Sequence, residues 1–239
     1  MKKAVVVMLI VSVCTGLVFA DDVFAPAWRG QQRTTHSVWD SWQNGLWTSD
    51  YIAADTFEAQ PASDLVYDGP ADASISEPST YVSNLAPWDG VGERFDLIEV
   101  NGDMQLDFWI PNFDENPMKE ISVQITYSPW EDVFPVFWVD AFMGDQSDVE
   151  FDYAFQKLAS HTHDDGWVTD AFTIIIEPNP TDELLTLSFD SQAGWEPYPM
   201  YVDQVVVDTK CIPEPATLAV LGLGAALALR RKKGINPVS

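Results

Sequence analysis

The chain has 239 residues, 46% hydrophobic and 13% aromatic, which is enough to bury one sizeable core and too apolar for a disordered chain. Twelve Lys and Arg against 37 Asp and Glu give a net charge of −25, which excludes nucleic acid as a partner because a polyphosphate would be repelled over most of the surface. Two cysteines exclude a disulfide framework and any zinc site built on several thiolates.

Residues 1–20 read as a secretory signal peptide. Lys2 and Lys3 form a positive start, Ala4 to Phe19 is almost entirely apolar, and Val18-Phe19-Ala20 places cleavage between Ala20 and Asp21. Cys14 leaves with this segment; Ser12-Val13 lacks the small residue that would precede a lipidated cysteine. The body that follows is far more acidic than the whole. Residues 21–212 hold six basic residues and 36 acids, a net charge of −30 over 192 residues.

Residues 21–210 are read as one acidic domain. The part from 21 to 79 is the less regular, Trp-rich and then rich in Asp, Ser, Ala, Gly and Pro. It contributes edge strands and a long loop, or a short helix around Ser37–Leu46. From residue 80 onward no helical period is sustained, and the pattern predicts strands. Ile121, Val123, Ile125 and Tyr127 alternate with polar residues, as do Val149, Phe151, Tyr153 and Phe155, and then Leu185, Leu187 and Phe189. Further strands are expected over Met104–Ile110, Val133–Phe142, Trp167–Ile176 and Tyr201–Thr209, with turns at 112–117, 144–145, 164–166, 178–180 and 194–199. Many half-buried strands without intervening helices predict an all-β fold, an antiparallel, jelly-roll-like β-sandwich.

Several side chains are candidates for chemistry. Calcium ligands would come from the loop acids Asp114, Asp145 and Asp148, since a hard cation relieves repulsion among carboxylates. Asp148, Glu150 and Asp152 on one strand face read as an acidic edge that refuses further pairing rather than a catalytic dyad. His161 and His163 share a strand face as zinc ligands could, but a polar turn explains them equally and no third histidine is near. Among ten tryptophans, Trp28, Trp39, Trp42, Trp88 and Trp195 lie in turn-rich segments and are the candidates for stacking on sugar rings, whereas Trp109, Trp130, Trp138 and Trp167 are expected in the core or at its ends. There is no Gly-x-Ser-x-Gly and no glycine-rich phosphate loop. Cys211, the one cysteine of the mature chain, is left as a free thiol, a dimer link or part of the handling of the C terminus.

The chain closes with Pro213-Glu214-Pro215, an apolar run to Leu229, and Arg230-Arg231-Lys232-Lys233. Thr217 to Leu229 is about 20 Å as a helix against roughly 30 Å of hydrocarbon, short for a permanent transmembrane helix. The basic cluster favours the cytoplasmic side, and the prolines keep the preceding strip extended. This three-part end, residues 211–234 before a 235–239 tail, resembles the PEP-CTERM sorting signal. The resemblance implies recognition by a membrane-embedded exosortase, a transient stay in the inner membrane, and delivery to the surface or extracellular matrix of a Gram-negative bacterium that makes exopolysaccharide. The closing strand, Tyr201-Val202-Asp203-Gln204-Val205-Val206-Val207, is similar to the last strand of galactose-binding-like jelly rolls; the resemblance implies sugar binding by analogy and a structural calcium near the first and last strands, held by Asp203 with Asp21 or Asp22. The expected function is a non-catalytic, polysaccharide-associated binding module or matrix component. A polysaccharide hydrolase or lyase, and a purely structural self-associating protein, are the alternatives.

Overall fold

A computed structural model describes residues 22–42, 52–61, 71–75, 80–87, 91–100, 105–113, 117–129, 133–142, 149–191 and 200–212. The signal peptide, the sorting signal beyond Ile212 and both terminal helices expected from sequence lie outside these residues. The described chain is all strand and connection: β1 (Thr34–Trp39), β2 (Ile52–Ala53), β3 (Thr56–Gln60), β4 (Asp72–Ile75), β5 (Thr80–Leu85), β6 (Arg94–Val100), β7 (Leu106–Trp109), β8 (Met118–Tyr127), β9 (Val133–Phe142), β10 (Asp152–Thr162), β11 (Val168–Glu177), β12 (Asp182–Ser191) and β13 (Met200–Ile212). Among the described residues no helix is long and apolar enough to cross a membrane.

Two antiparallel sheets form the sandwich. One has the order β10-β11-β8-β13-β1-β3, with β6 joining the start of β13 and β5 pairing β6; the other is β2-β4-β7-β12-β9. Pairing puts Ile121, Val123 and Ile125 of β8 level with Ile174, Phe172 and Asp170 of β11 and with Thr209, Val207 and Val205 of β13. The apolar residues of this set, Ile121, Val123, Ile125, Phe172, Ile174, Val205 and Val207, face Leu106 and Phe108 of β7, Phe137 of β9, and Leu185 and Leu187 of β12 across one continuous core. Phe137 meets Phe172 at 5.0 Å between ring centroids, and Trp39 meets Phe108 edge-on at 4.9 Å. Each such fully buried side chain contributes about 1.5–3 kcal/mol through apolar area removed from water.

The helix alternative around Ser37–Leu46 is not realised where the chain is described. Thr34–Trp39 is a strand, buried on both faces, between β13 and β3. Strand β13 is likewise buried on both faces because residues 22–33 lie across its outer side, and this explains its run of valines. Strand β10 differs from the half-buried strand expected near residue 150. It forms the free edge of the larger sheet, with Tyr153 47% and Phe155 50% exposed, although Phe155 stacks on Phe172 at 5.6 Å. A register shift between Lys157 and Ala159 interrupts this edge, a feature that discourages further strand pairing. Of the acidic run, Glu150 and Asp152 are exposed, and Asp148 lies outside the described residues.

Candidate functional site

The outer face of the five-stranded sheet is assembled by simple alternation. Leu106 and Phe108 point into the core, so Asp107 and Trp109 between them point outward. In β12, buried Leu185 and Leu187 leave Leu184 and Thr186 on the outer side. In β9, Phe137 is buried, so Trp138, Asp140 and Phe142 face out. Cross-strand register then sets Asp140, Leu184, Trp109 and Asp72 in one row, and Trp138, Thr186, Asp107 and Ser74 in the next.

The result is a broad surface carrying three aromatic rings among carboxylates. Trp138 is 38% and Phe142 43% exposed. Trp109 and Phe142 form a stacked pair on this face, with ring centroids 6.5 Å apart and planes 24° from parallel. Thr186 donates its hydroxyl to Asp107 at 2.6 Å, which fixes one carboxylate and leaves its other oxygen as an acceptor. Partial burial raises the Asp72 carboxyl above its usual range. No lysine or arginine stands on this face among the described residues. Flat rings offer C–H-stacking surfaces, and the interleaved oxygens accept hydrogen bonds from hydroxyls.

This arrangement corrects the assignment of the tryptophans. Trp39 and Trp42 are fully buried, Trp39 donating to Ile52 O at 3.1 Å and Trp42 to Asp203 O at 2.8 Å, so neither can stack on a sugar. Trp28 is half-buried beneath the Lys210 ammonium, 5.9 Å from its ring. Trp88 and Trp195 lie outside the described residues, as does Trp130. Trp167 is a core residue as expected, but Trp138 and Trp109, also expected inside, form the aromatic face. The signal was present in the sequence: Asp107 and Asp140 mark the outward phase of β7 and β9, and each shares that phase with a tryptophan two residues away.

The expected calcium ligands do not converge where they are described. Asp22 pairs with Arg29 and accepts from Gln124 Nε2 at 2.7 Å. Burial alone would raise its carboxyl, but these hydrogen bonds and the Arg29 charge hold it below the ordinary aspartate range. Arg29 also grips the fully buried Asp208 with two hydrogen bonds of 2.7 Å, and His36 Nδ1 lies 3.0 Å from the same carboxylate. Asp203 occupies a register shift between Val202 and Gln204 that turns its carboxylate onto Arg94 at 2.5 Å, and Arg94 also holds Asp165 at 3.0 Å. Thus each described acid already has a guanidinium partner, and the two belong to separate clusters. Asp21, Asp114, Asp145 and Asp148 lie outside the described residues. Among the described residues no group of three or more His, Cys, Asp or Glu could hold a metal ion. His161 and His163 meet edge-on at 4.8 Å, and His163 Nε2 hydrogen-bonds Thr169 Oγ1 at 2.7 Å.

A second pair of carboxylates lies near the end of β1. Asp55 accepts from the backbone N–H groups of Asp40 and Ser41 at 2.8 and 2.9 Å. Burial and a hydrogen bond shared with Asp55 push Asp40 up to about 6. At the end of β13, Cys211 is buried, its thiol 3.1 Å from Phe113 O, and burial raises its pKa. Ala20, Pro213, Glu214, Pro215, Arg230, Arg231, Lys232 and Lys233 lie outside the described residues.

Residues 212–233 match the PEP-CTERM protein-sorting motif. The match begins at Ile212, the last residue of β13, so the motif starts where the sandwich ends. No curated protein and no solved structure matches the chain, and the galactose-binding-like resemblance of the closing strand gains no support from these comparisons.

Proposed function

Because the chain carries an exosortase-directed sorting motif, and so is an exported protein sorted through the membrane to the surface, we propose that its acidic β-sandwich is a non-catalytic polysaccharide-binding module of the cell surface or matrix of a Gram-negative bacterium. The observation that carries this reading is the outer face of the five-stranded sheet, where Trp109, Trp138 and Phe142 present ring surfaces among Asp72, Asp107 and Asp140. A polysaccharide lies along such a face with its apolar C–H sides on the rings and its hydroxyls donating to the carboxylates. The net charge of −30 over residues 21–212 favours neutral or cationic glycans over uronate-rich ones, which would be repelled.

The test is a titration of the purified full-length chain, in detergent, with a panel of neutral, amino-sugar and acidic polysaccharides. Saturable binding to neutral or amino-sugar chains, unchanged by a calcium chelator and weakened about tenfold in Trp109→Ala or Trp138→Ala, is the expected result, equivalent to ~1.4 kcal/mol. Absence of binding across the panel overturns the reading.

The Asp40–Asp55 pair does not favour a hydrolytic alternative, because its carboxyls share a hydrogen bond and so lie closer than the roughly 5 Å that carboxyls flanking a glycosidic bond need.

A further inference from the structure

We infer that Lys119 and Glu183 condense to an intramolecular amide that joins the two sheets covalently. Lys119 is in β8 of the larger sheet and Glu183 in β12 of the smaller, and both side chains are 0% exposed. The Lys119 Nζ touches Glu183 Oε1 directly across the sandwich. Register places Lys119 between Ile176 of β11 and Cys211 of β13, both buried, with Ile121 next on the same face of its own strand. Leu185 follows Glu183 on the inner face of β12. The pair is therefore flanked by Ile176, Ile121 and Leu185 and by the Cys211 thiol, which itself contacts the buried amides of Asn112 and Asn179.

This environment is a poor one for two charges. Desolvation costs several kcal/mol per ion, and mutual attraction offsets it only when the remaining hydrogen-bonding groups are satisfied. Here Glu183 Oε2 has no hydrogen-bond partner among the described residues. Burial also drives Lys119 below the ordinary lysine range, toward the neutral amine, which is the nucleophilic form. Proton transfer from Lys119 to the carboxylate gives a neutral amine against a neutral carboxylic acid, already in contact.

The step balances within the pair. Nζ attacks Cδ of Glu183, a nitrogen–carbon bond forms, and one carbon–oxygen bond of the carboxyl breaks. The departing oxygen leaves as water, carrying two protons that began on the ammonium. No oxidant, reductant or external co-reactant is consumed. The product replaces two buried charges with one neutral amide, and exclusion of water opposes the reverse hydrolysis.

The test is peptide mapping of the full-length chain, purified folded, then denatured and digested with trypsin. The expected main species is residues 95–157 joined to residues 158–210, uncut after Lys119 and one water lighter than the two peptides summed. Lys119→Arg and Glu183→Ala each remove the joined species. Separate peptides 95–119, 120–157 and 158–210 at full mass as the main products of the unaltered protein would overturn the inference, whatever the variants do. Persistence of the joined species in Glu183→Ala would overturn the choice of acceptor.

Discussion

Trp109 and Phe142 form a stacked pair on the outer face of the smaller sheet, from strands separated by β12, with ring centroids 6.5 Å apart. Phe142 and its neighbour Trp138 are exposed, and exposed aromatics contribute little to folding, so their presence there is better explained by a ligand than by the core. Trp138→Ala is expected to change stability by less than about 1 kcal/mol, whereas Phe108→Ala, one strand face away in the core, costs about 3–5 kcal/mol. Urea titration of both variants checks the contrast. An equally large loss for Trp138→Ala would return that residue to a structural role.

The Asp40 carboxyl is raised to about 6 by burial and by Asp55, against an unfolded value of 3.8. The folded protein therefore holds a proton that the unfolded chain releases. Stability from this site is greatest below pH 3.8, declines as pH rises through the interval up to about 6, and is level above it. Asp40→Asn removes that decline and stabilises the protein at pH 7 by about 1 kcal/mol, after discounting for solvent screening of a half-exposed group. Melting temperatures of both proteins from pH 4 to 8 provide the check.

Arg29 ties the segment 22–33 to the larger sheet through Asp22 and the buried Asp208. Arg29→Met leaves Asp208 with His36 alone among these partners, and is expected to cost about 2–4 kcal/mol. The same link fails in acid. Asp22 has a lowered folded pKa, so its contribution is present above 3.8 and is lost as pH falls through the folded value. Amide exchange at Phe24, whose N–H donates to Gln124 Oε1 at 2.8 Å, reports the release, and unchanged protection in Arg29→Met would refute it.

Gly92 packs against the turn before β11. A Cβ at this position would lie 2.7 Å from Asp165 Cβ, while its N–H donates to Asp165 O and its carbonyl accepts from Trp167 Nε1 at 3.0 Å. Gly92→Ala must push this turn away, disturbing the Arg94–Asp165 pair, and should cost about 1–3 kcal/mol. Denaturant midpoints decide it; a neutral substitution would mean that the turn yields freely.

Alternation made most of the sandwich legible from sequence. Ile121 to Tyr127 and Leu185 to Leu187 show one apolar phase, and both became strands facing the core. Strand β9 was harder, because Phe137 and Val139 in one phase and Trp138 and Phe142 in the other are all apolar, leaving Asp140 as the sole polar mark of the outer side. Thr34–Trp39 was obscured for a different reason. It is buried on both faces by tertiary partners, so its polar residues show no period. The partner of Asp203 was invisible because Arg94 lies 109 residues away in the chain; Arg29 is only seven residues from Asp22, but nothing local marks that it also reaches Asp208, 179 residues on. The sorting end needed no tertiary structure to be recognised, since its three parts are contiguous.

The most direct measurement of the central claim is hydroxyl-radical footprinting of the full-length chain with and without a bound neutral or amino-sugar polysaccharide. Protection concentrated at Trp109, Trp138 and Phe142, with Tyr153 and Phe155 on the opposite sheet's edge unchanged, is the predicted result. Saturable binding that leaves Trp138 and Phe142 as reactive as in the free protein would contradict it.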